Sequence, residues 1–274
     1  MDDKKKKVVE WFSTLRDMIV DEFFVIESEY SSKAPDIKKK KWERSGGGGG
    51  ESIIISGSVF EKAGINFSTV HGELEESYVQ EVLGADKSER GFWATGVSVI
   101  VHPMSPFVPA IHMNTRFIST SCWWFGGGTD LTPTYEHEDD TAFFHDSLCS
   151  MCNKFDSQYY EKFKKDCDEY FYLHHRKEPR GVGGIFYDHL QGDFESSFAF
   201  TQAVGRCFLS IYPVIVKKRM HIKWNQEDKD KQLIKRGRYV EFNLLWDRGV
   251  RFGVMTGGNP DAIMACMPPV VKWE

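Results

Sequence analysis

Hydrophobic residues recur every three to four positions near the beginning of the chain. The residues at this spacing are Val8, Phe12, Leu15, Ile19 and Phe23. Such a period places them on one face of a helix. The pattern therefore predicts an amphipathic helix over residues 6–27, whose apolar stripe needs another element to pack against.

Further along, apolar and polar residues alternate in short segments, as they do in strands that bury one face. The predicted strands are two short ones within residues 52–70 and single ones at residues 93–102, 111–117, 183–188, 239–247 and 251–255. A helical period returns at residues 139–171 and 193–218. Because the strands come in neighbouring pairs with long helices between them, this order predicts an α+β fold in which helices cover an antiparallel sheet.

The domain organisation follows from length and from one glycine tract. A chain of 274 residues allows one large domain or two small ones, and no boundary is evident, so a single domain over residues 1–274 is predicted. Gly46–Gly50 carries no side chains that could pack, which predicts a mobile loop near residues 45–51. Trp42 before it and the strand-like Ser52–Ile55 after it favour a loop within one fold.

The charge balance argues against nucleic acid as a partner. The formal net charge is -5, and the basic clusters Lys4–Lys7 and Lys38–Lys41 lack arginine and interleaved aromatic residues. Clusters of this kind are typical of solvated surfaces.

Apolar runs and cysteines predict the compartment. No apolar run approaches the roughly eighteen residues that span a bilayer, and the charged N-terminal segment resembles neither a signal peptide nor an organelle import signal. The six cysteines are too sparse for a disulfide framework. Cys149 and Cys152 form one CxxC inside a predicted helix, which favours buried thiols over a zinc or redox site. We expect a cytoplasmic protein with reduced cysteines.

The segment Ile111–Pro133 carries the densest set of candidate functional groups. On its predicted strand His112, Asn114 and Arg116 share one face, while apolar residues occupy the other. A proton-transfer group, an amide and a planar cation would follow one another at intervals of about 7 Å, the rise of two strand residues. This spacing suits one large ligand.

Aromatic residues and glycines follow in the same segment. Trp123, Trp124 and Phe125 offer flat apolar surface to a ligand, with core packing as the alternative. Gly126–Gly128 would let the backbone approach a ligand closely or adopt positive φ before Asp130.

Further polar groups come from other predicted strands. Ser98 shares a face with His102, and the pair Asp247–Arg248 follows the predicted strand at residues 239–247. An ionised aspartate suits a cluster of N–H donors, and an arginine presents forked donors to carboxylates. A structural salt bridge at a turn is the alternative for this pair.

Four histidines are candidate metal ligands by residue type: His102, His112, His145 and His175. No close HxH or HxxxH pair occurs among them, so their spacing does not favour a metal site. We expect no metal, and we expect the histidines other than His112 to be satisfied by the protein or exposed.

Several long motifs occur together in the order of a known family. They are WERSGGGGG, VFEKAGINFSTVHGE, HxNTRF, WWFGGGTDLTP, YFYLHHRKEPRGVGGIFYD, GRYVEFNLLWDRG and MPPVVKWE. Together they cover nearly the whole chain, which resembles oxygen-dependent coproporphyrinogen III oxidase.

The resemblance implies an enzyme of haem synthesis that oxidatively decarboxylates two propionates of coproporphyrinogen III to vinyl groups, giving protoporphyrinogen IX. Dioxygen would accept the electrons, without a flavin, haem or other organic cofactor. The family's fold is a flat, mainly antiparallel sheet covered on both faces by α-helices. A homodimer whose interface includes the C-terminal region is also implied.

The resemblance further implies roles for individual residues. Asp247 would lie at the centre of the macrocycle and His112 would donate a proton, with Arg248 and Asp130 completing the catalytic group. The implied substrate-binding residues are Ser98, Asn114, Thr115, Arg116, Gly257, Gly258 and Asn259, the last three in the loop Thr256–Asn259. Many relatives have an arginine at Asn259, so a propionate contact there is either lost or supplied by Arg251 or a lysine.

Two other classes of function stay open on the sequence. A non-catalytic tetrapyrrole carrier would need the pocket but not His112, Asp130 and Asp247 together. A metal-dependent hydrolase would need the histidines to converge. Turnover of coproporphyrinogen that depends on oxygen would support only the oxidase.

Overall fold

The computed structural model describes residues 1–73, 90–255 and 257–274 of the chain. Its strands are β1 (Asp36–Glu43), β2 (Gly48–Ser56), β3 (Phe60–Glu73), β4 (Gly91–Pro103), β5 (Ala110–Ser119), β6 (Trp123–Thr132), β7 (Tyr172–Leu173), β8 (Glu178–Pro179) and β9 (Gly183–Leu190). Its helices are α1 (Asp2–Tyr30), α2 (Glu138–Cys152), α3 (Tyr159–Tyr170), α4 (Phe194–Arg219), α5 (Gln226–Leu245), α6 (Arg248–Met255) and α7 (Pro260–Ile263), followed by a 3-10 turn over Met264–Cys266.

One seven-stranded sheet organises these elements. Its order is β1-β2-β3-β4-β5-β6-β9, and every neighbouring pair is antiparallel. The short β7–β8 hairpin forms a separate sheet. The strands predicted at residues 52–70, 93–102, 111–117 and 183–188 are confirmed.

The helices α1 and α4 cover one face of the sheet. The stripe predicted for α1 is fully buried at all of its positions, namely Val8, Phe12, Leu15, Ile19 and Phe23. α1 contacts β3 and β4, and α4 contacts β5 and β6. On that face Val99, Met113 and Phe117 are equally buried, so this layer holds the main hydrophobic core.

The predicted helix at residues 193–218 is α4. Asp193 caps it by accepting a hydrogen bond from the Ser196 N–H at 2.8 Å. By length and composition α4 could cross a membrane, but 61% of its apolar window is buried inside the protein. Its apolar surface is thus used as that of a core helix.

C-terminal helices cover the opposite face, where the sequence predicted strands. Residues 239–247 lie mostly in α5 and residues 251–255 in α6, so both strand predictions are wrong. α5 begins at a capping box in which Asn225 and Asp228 bond each other's backbone N–H groups. Its buried positions recur every three to four residues, at Gln232, Leu233, Arg236, Gly237, Tyr239, Phe242 and Asn243. The apparent alternation was the end of this helical pattern. With helices on both faces of a flat antiparallel sheet, the predicted fold class is confirmed.

Residues 139–171, predicted as one helix, form two. The Asp156 carboxylate accepts a hydrogen bond from the Gln158 N–H at 2.8 Å between α2 and α3, and such local bonds compete with helix continuation. Cys149 and Cys152 lie at the end of α2, and all six cysteines are free thiols. Burial raises the pKa of Cys152 to about 12.

The predicted mobile loop near residues 45–51 is only partly a loop. Gly48–Gly50 begins β2 and pairs with both β1 and β3, so the turn itself is short. Gly47 and Gly48 make this turn at φ values of 114° and 81°, which glycine adopts without strain. Backbone hydrogen bonds to two strands hold Gly48–Gly50 in the sheet, and the mobility of the turn before them stays a prediction.

Glu241 ties parts of the C-terminal layer together. Its carboxylate accepts hydrogen bonds from Arg176 at 2.6 and 2.9 Å, from His175 at 2.8 Å and from the Trp273 indole at 2.9 Å. The hydrogen bonds from Arg176 make the largest contribution and lower the pKa of Glu241 from 4.5 to about 2.

Replacing Glu241 with glutamine is expected to remove a pH-dependent stabilisation. A carboxyl group with a lowered folded-state pKa stabilises the fold above its unfolded pKa, and this contribution is lost as the pH falls from 4.5 to about 2. Glu241→Gln should lower the free energy of unfolding at pH 7 by about 2 kcal/mol and flatten its decline in that window. Urea unfolding at several pH values measures the free energy of unfolding and its dependence on pH. Glu161→Gln, at an exposed position of α3, is the control. Parallel pH profiles for Glu241→Gln and the wild type would contradict this expectation.

Candidate active site

A cavity of about 520 Å³ lies between the sheet and the C-terminal helices. Seven residues predicted for the site border it: Ser98, His112, Asn114, Thr115, Arg116, Asp247 and Arg248. The sheet register explains the first part of this set, because Ser98 pairs with Asn114 and Gly96 with Arg116 across β4 and β5. The shared face predicted for His112, Asn114 and Arg116 is therefore confirmed.

A buried ion pair holds His112 on the side away from the cavity. Its Nδ1 lies 3.0 Å from Asp130 Oδ1, and Arg180 donates to both oxygens of Asp130 at 2.7 Å. The guanidinium of Arg180 is packed among the rings of Phe171, Tyr239 and Phe242, at 3.9 to 4.8 Å from their centroids. The group is thus fixed by packing as well as by charge.

This ion pair selects the tautomer of His112. Burial by itself raises the pKa of Asp130, but Arg180 and His112 more than offset that effect and hold the pKa below its ordinary value. An ionised carboxylate only accepts hydrogen bonds, so Nδ1 of His112 carries the proton. In the neutral ring Nε2 then has the lone pair available for proton transfer.

Asn114 adjoins this second nitrogen. Its amide nitrogen lies 3.4 Å from His112 Nε2, and within the described residues its Oδ1 has no hydrogen-bond partner. The NH₂ group can donate to the neutral ring, whereas rotation of the amide would let Oδ1 accept from a protonated ring. Asn114 can therefore serve both protonation states of His112.

A second carboxylate, Asp188 at the end of β9, lies between two arginines. It bonds Arg116 at 2.9 Å and lies 3.8 Å from Arg248. Burial by itself would raise the pKa of Asp188. The charge and hydrogen bond of Arg116 outweigh this effect, so the pKa lies below its ordinary value. A Cβ at Gly126 would lie only 2.8 Å from Asp188 and 2.9 Å from Arg116. Gly126, predicted as part of a flexible turn, instead makes room in β6 for this pair.

Asp247 lies at the boundary between α5 and α6. Its carboxylate accepts a hydrogen bond from the Val250 N–H at 2.7 Å and so caps α6. The next residue, Arg248, donates its N–H to the Tyr170 hydroxyl at 3.1 Å and places its guanidinium over that ring at 4.9 Å. The cap and the ring orient the Asp247–Arg248 pair toward the cavity, which both residues border.

Other predicted site residues do not present a side chain to the cavity. Asp130 lies beneath His112, outside the lining. Thr115 borders the cavity, but its side chain is fully buried with a hydroxyl that has no hydrogen-bond partner among the described residues. Gly257, Gly258 and Asn259 are not part of the lining. Asn259 caps α7 through the Ala262 N–H at 3.1 Å, and Thr256 lies outside the described residues. The roles implied for these residues stay predictions.

The aromatic surface of the cavity comes from other residues than predicted. Trp124 and Phe125 are buried in hydrophobic clusters, and Trp123 packs against one of these clusters. The three residues therefore pack inside the protein, which was the alternative to a ligand-binding surface. Among the described residues, Phe92, Tyr170, Phe186, Tyr239 and Phe252 contribute the aromatic rings of phenylalanine and tyrosine that border the cavity.

Sequence reasoning also missed Arg44, Asp188 and Arg180. Asp188 shares the pocket-facing side of β9 with Phe186, and an alternation count over residues 183–188 could have found it. Arg180 lies outside any regular pattern, and only the tertiary structure brings it to Asp130.

The four histidines considered as metal ligands do not converge. His102 bonds the Cys266 carbonyl at 2.9 Å, His145 the Val182 carbonyl at 3.0 Å, and His175 bonds Glu241. Burial lowers the pKa of His102 to about 3. Across residues 1–73, 90–255 and 257–274, no group of three or more His, Cys, Asp or Glu side chains is arranged to hold a metal ion.

The chain is similar to known proteins over nearly its whole length. The family model for coproporphyrinogen III oxidase matches residues 7–274. The oxygen-dependent coproporphyrinogen-III oxidase of Rickettsia bellii (strain OSU 85-389) is 55% identical over 280 residues, which span 100% of both chains. The enzyme of the same name from Rickettsia rickettsii (strain Sheila Smith) is 52% identical over 277 residues, or 99% of each chain. This chain belongs to the oxygen-dependent coproporphyrinogen III oxidase family.

Proposed function

We propose that the cavity binds coproporphyrinogen III and that its residues carry out the family's reaction in haem biosynthesis. In that reaction two propionates become vinyl groups and the product is protoporphyrinogen IX. Each conversion breaks one carbon–carbon bond to release CO₂ and removes one β-hydrogen, while dioxygen takes up two electrons and becomes hydrogen peroxide.

The distribution of charge in the cavity carries the proposal. Four arginines border it, Arg44, Arg116, Arg248 and Arg251, together with the carboxylates of Glu73, Asp188 and Asp247. Of these carboxylates, Asp188 is already paired with Arg116. The substrate has four peripheral propionates and inward-pointing pyrrole N–H groups, so it requires cations around its edge and an acceptor near its centre. The apolar and aromatic lining suits the pyrrole rings between these two regions.

In this proposal Asp247 accepts hydrogen bonds from the pyrrole N–H groups. Such bonds stabilise a puckered ring and assist deprotonation, which makes the pyrrole reactive toward dioxygen. His112, held by Asp130, exchanges a proton through Nε2. The arginines orient the propionates, since fixing the reacting groups lowers the barrier.

Anaerobic and aerobic assays of the purified protein test the function. Coproporphyrinogen III should yield protoporphyrinogen IX under air and not under argon, with two CO₂ released per product and with activity retained after exhaustive chelation. Binding without turnover in air would indicate the carrier instead. Activity that is lost on chelation and restored by a metal would overturn the metal-free mechanism.

We further propose that the protein is a homodimer that uses its C-terminal region. Leu244 and Leu245 are each more than half exposed, as are Val254 and Trp273. Exposed apolar side chains of this kind favour a protein interface. Because Leu244 and Leu245 closely precede Asp247, an isologous dimer would support the Asp247 loop from behind.

Charged substitutions on this surface are expected to reduce dimer mass and activity together. Leu244→Glu and Val254→Glu would place unpaired charges in the apolar interface, and Lys39→Glu on exposed β1 controls for added charge. Light scattering at assay concentration measures the mass. A fully active monomer would refute the coupling.

We also propose a cytoplasmic location. All six cysteines are free thiols, as is usual for a reducing compartment. Fractionation of cells with an antibody against the protein tests it, and recovery in another compartment would contradict it.

A further inference from the structure

A hairpin turn that carries Arg44 borders the cavity, and the proposed function does not say which part of the substrate this arginine binds. The turn joins β1 to β2, with the Arg44 N–H bonded to the Gly48 carbonyl and the Gly47 N–H bonded to the Arg44 carbonyl, both at 2.9 Å. Arg44 reaches from this turn to the cavity. Arg44 is partly buried.

Contacts from two other strands hold the Arg44 guanidinium over the sheet. Its Nη1 donates to the His71 carbonyl at 2.7 Å, and its Cζ lies 5.5 Å from the centre of the Phe92 ring. Phe252 of α6 packs edge-on against the same ring at 5.6 Å. The hairpin and the C-terminal helix thus close one end of the cavity together.

Glycines provide the space that the guanidinium occupies. A Cβ at Gly46 would lie 2.5 Å from Arg44 Nη1, and a Cβ at Gly72 would lie 3.0 Å from the same atom. A side chain at either position would crowd the guanidinium in its present place. These glycines therefore do more than allow a turn. Gly46 and Gly72 leave the space, here called the seat, that the Arg44 guanidinium occupies.

The strand register places this seat far from His112. Gly72 pairs with Phe92, and Gly96 pairs with Arg116. The four steps from Phe92 to Gly96 span about 13 Å along β4. The partner of His112 is Ile100, four steps further along the same strand. Between them lies an apolar floor formed by Val70, Ala94 and Ile118, which pair with one another across three strands.

We propose that Arg44 is a carboxylate-binding residue of the cavity and receives a peripheral propionate of the tetrapyrrole at the end remote from His112. This inference rests on the proposed function. The guanidinium offers a planar fork to a carboxylate, the apolar floor supports the pyrrole rings, and Arg116 at the other end of the floor can bind a second propionate. Arg44 thereby fixes how far the macrocycle extends toward the hairpin.

Substitution of Arg44 separates a carboxylate contact from structural support. Arg44→Gln should raise KM for coproporphyrinogen III about ten- to hundredfold and leave kcat within about threefold, because a contact made equally in ground and transition states affects binding alone. Arg44→Lys should recover much of the loss. Lys39→Gln removes an exposed charge from β1, the strand that leads into this turn, and should change neither constant.

A binding measurement without turnover provides the second readout. Fluorescence titration with coproporphyrin III should show the same ten- to hundredfold loss for Arg44→Gln, whereas its tetramethyl ester, in the same cosolvent, should bind both proteins alike. Equal weakening for the acid and the ester would show a structural role and overturn the proposal, as would constants within about twofold of the wild type for both ligands.

Gly46→Ala gives an independent test because it leaves the charge in place and crowds the guanidinium. We expect a smaller loss of affinity for coproporphyrin III than with Arg44→Gln and again little change for the ester. An unchanged affinity would contradict the seat at Gly46. If the wild type fails to turn over coproporphyrinogen while the acid-specific effect of Arg44 persists, the proposed function fails and the carboxylate site stands.

Discussion

Asp247→Ala is expected to lower turnover at least about a hundredfold while the protein stays folded. Removal of one preorganised group that stabilises developing charge typically costs about 3 to 4 kcal/mol. Asp247 is the carboxylate that the proposal places at the pyrrole N–H groups. Steady-state rates with coproporphyrinogen III under air measure the effect, and circular dichroism checks the fold.

Asp247 also caps α6, so the experiment needs variants that separate the cap from the charge. Asp247→Asn keeps an acceptor for the Val250 N–H and should still lose about a hundredfold in turnover. Asp193→Ala removes the cap of α4, away from the cavity, and should cost about 1 kcal/mol of stability without affecting turnover. Near-normal activity in a folded Asp247→Asn protein would eliminate the proposed role of the charge.

Asp130→Asn is expected to impair both stability and turnover. It leaves Arg180 buried without its counter-ion, and breaking a buried pair costs about 3 to 5 kcal/mol. An amide also accepts or donates at Nδ1 of His112, so it no longer selects one tautomer, and we expect a loss in turnover of about a hundredfold or more. Urea unfolding and steady-state rates measure the two effects.

Two comparison variants separate these effects. Asp130→Asn combined with Arg180→Met removes both charges and should recover much of the stability but not the turnover, because His112 is still without its carboxylate. Asp140→Asn weakens a partly buried ion-pair group, with Arg219 at 2.7 Å and Lys218 at 2.9 Å, remote from the cavity. It should cost stability and leave turnover unchanged. Parallel recovery of stability and turnover in the double variant would show that Asp130 acts only through the fold.

Hydrophobic periodicity determined the layers of this protein. The stripe of α1 and the alternation of β4 and β5 are local patterns that burial on one face imposes, and each was readable without knowledge of neighbouring elements. The same alternation placed His112, Asn114 and Arg116 on one side. The motifs around Asp247 and Arg248 identified the family and its reaction because several long motifs occur in one order.

Tertiary structure decided what local pattern could not distinguish. Over a few residues a buried helix and a strand have similar patterns, and only the capping box at Asn225 and the contacts of α5 determine the helix at residues 239–245. The aromatic run at Trp123–Phe125 could line a ligand site or fill a core. Trp123 and Phe125 pack against Phe194 of α4, whereas Trp124 is buried on the other face of β6 in a small cluster with Phe92.

By itself, the sequence thus determined the fold class, the polar face of β5 and the family. The long-range partners came only from the folded chain, since Arg180 lies fifty residues from Asp130, and Asp188 meets Arg116 across β6. Such pairs leave no periodic signal, because their geometry depends on which strands become neighbours. Likewise, the glycine tract at residues 46–50 is visible in the sequence as a run without side chains. Only the folded structure shows that the Arg44 guanidinium occupies the space beside Gly46, where it borders the cavity.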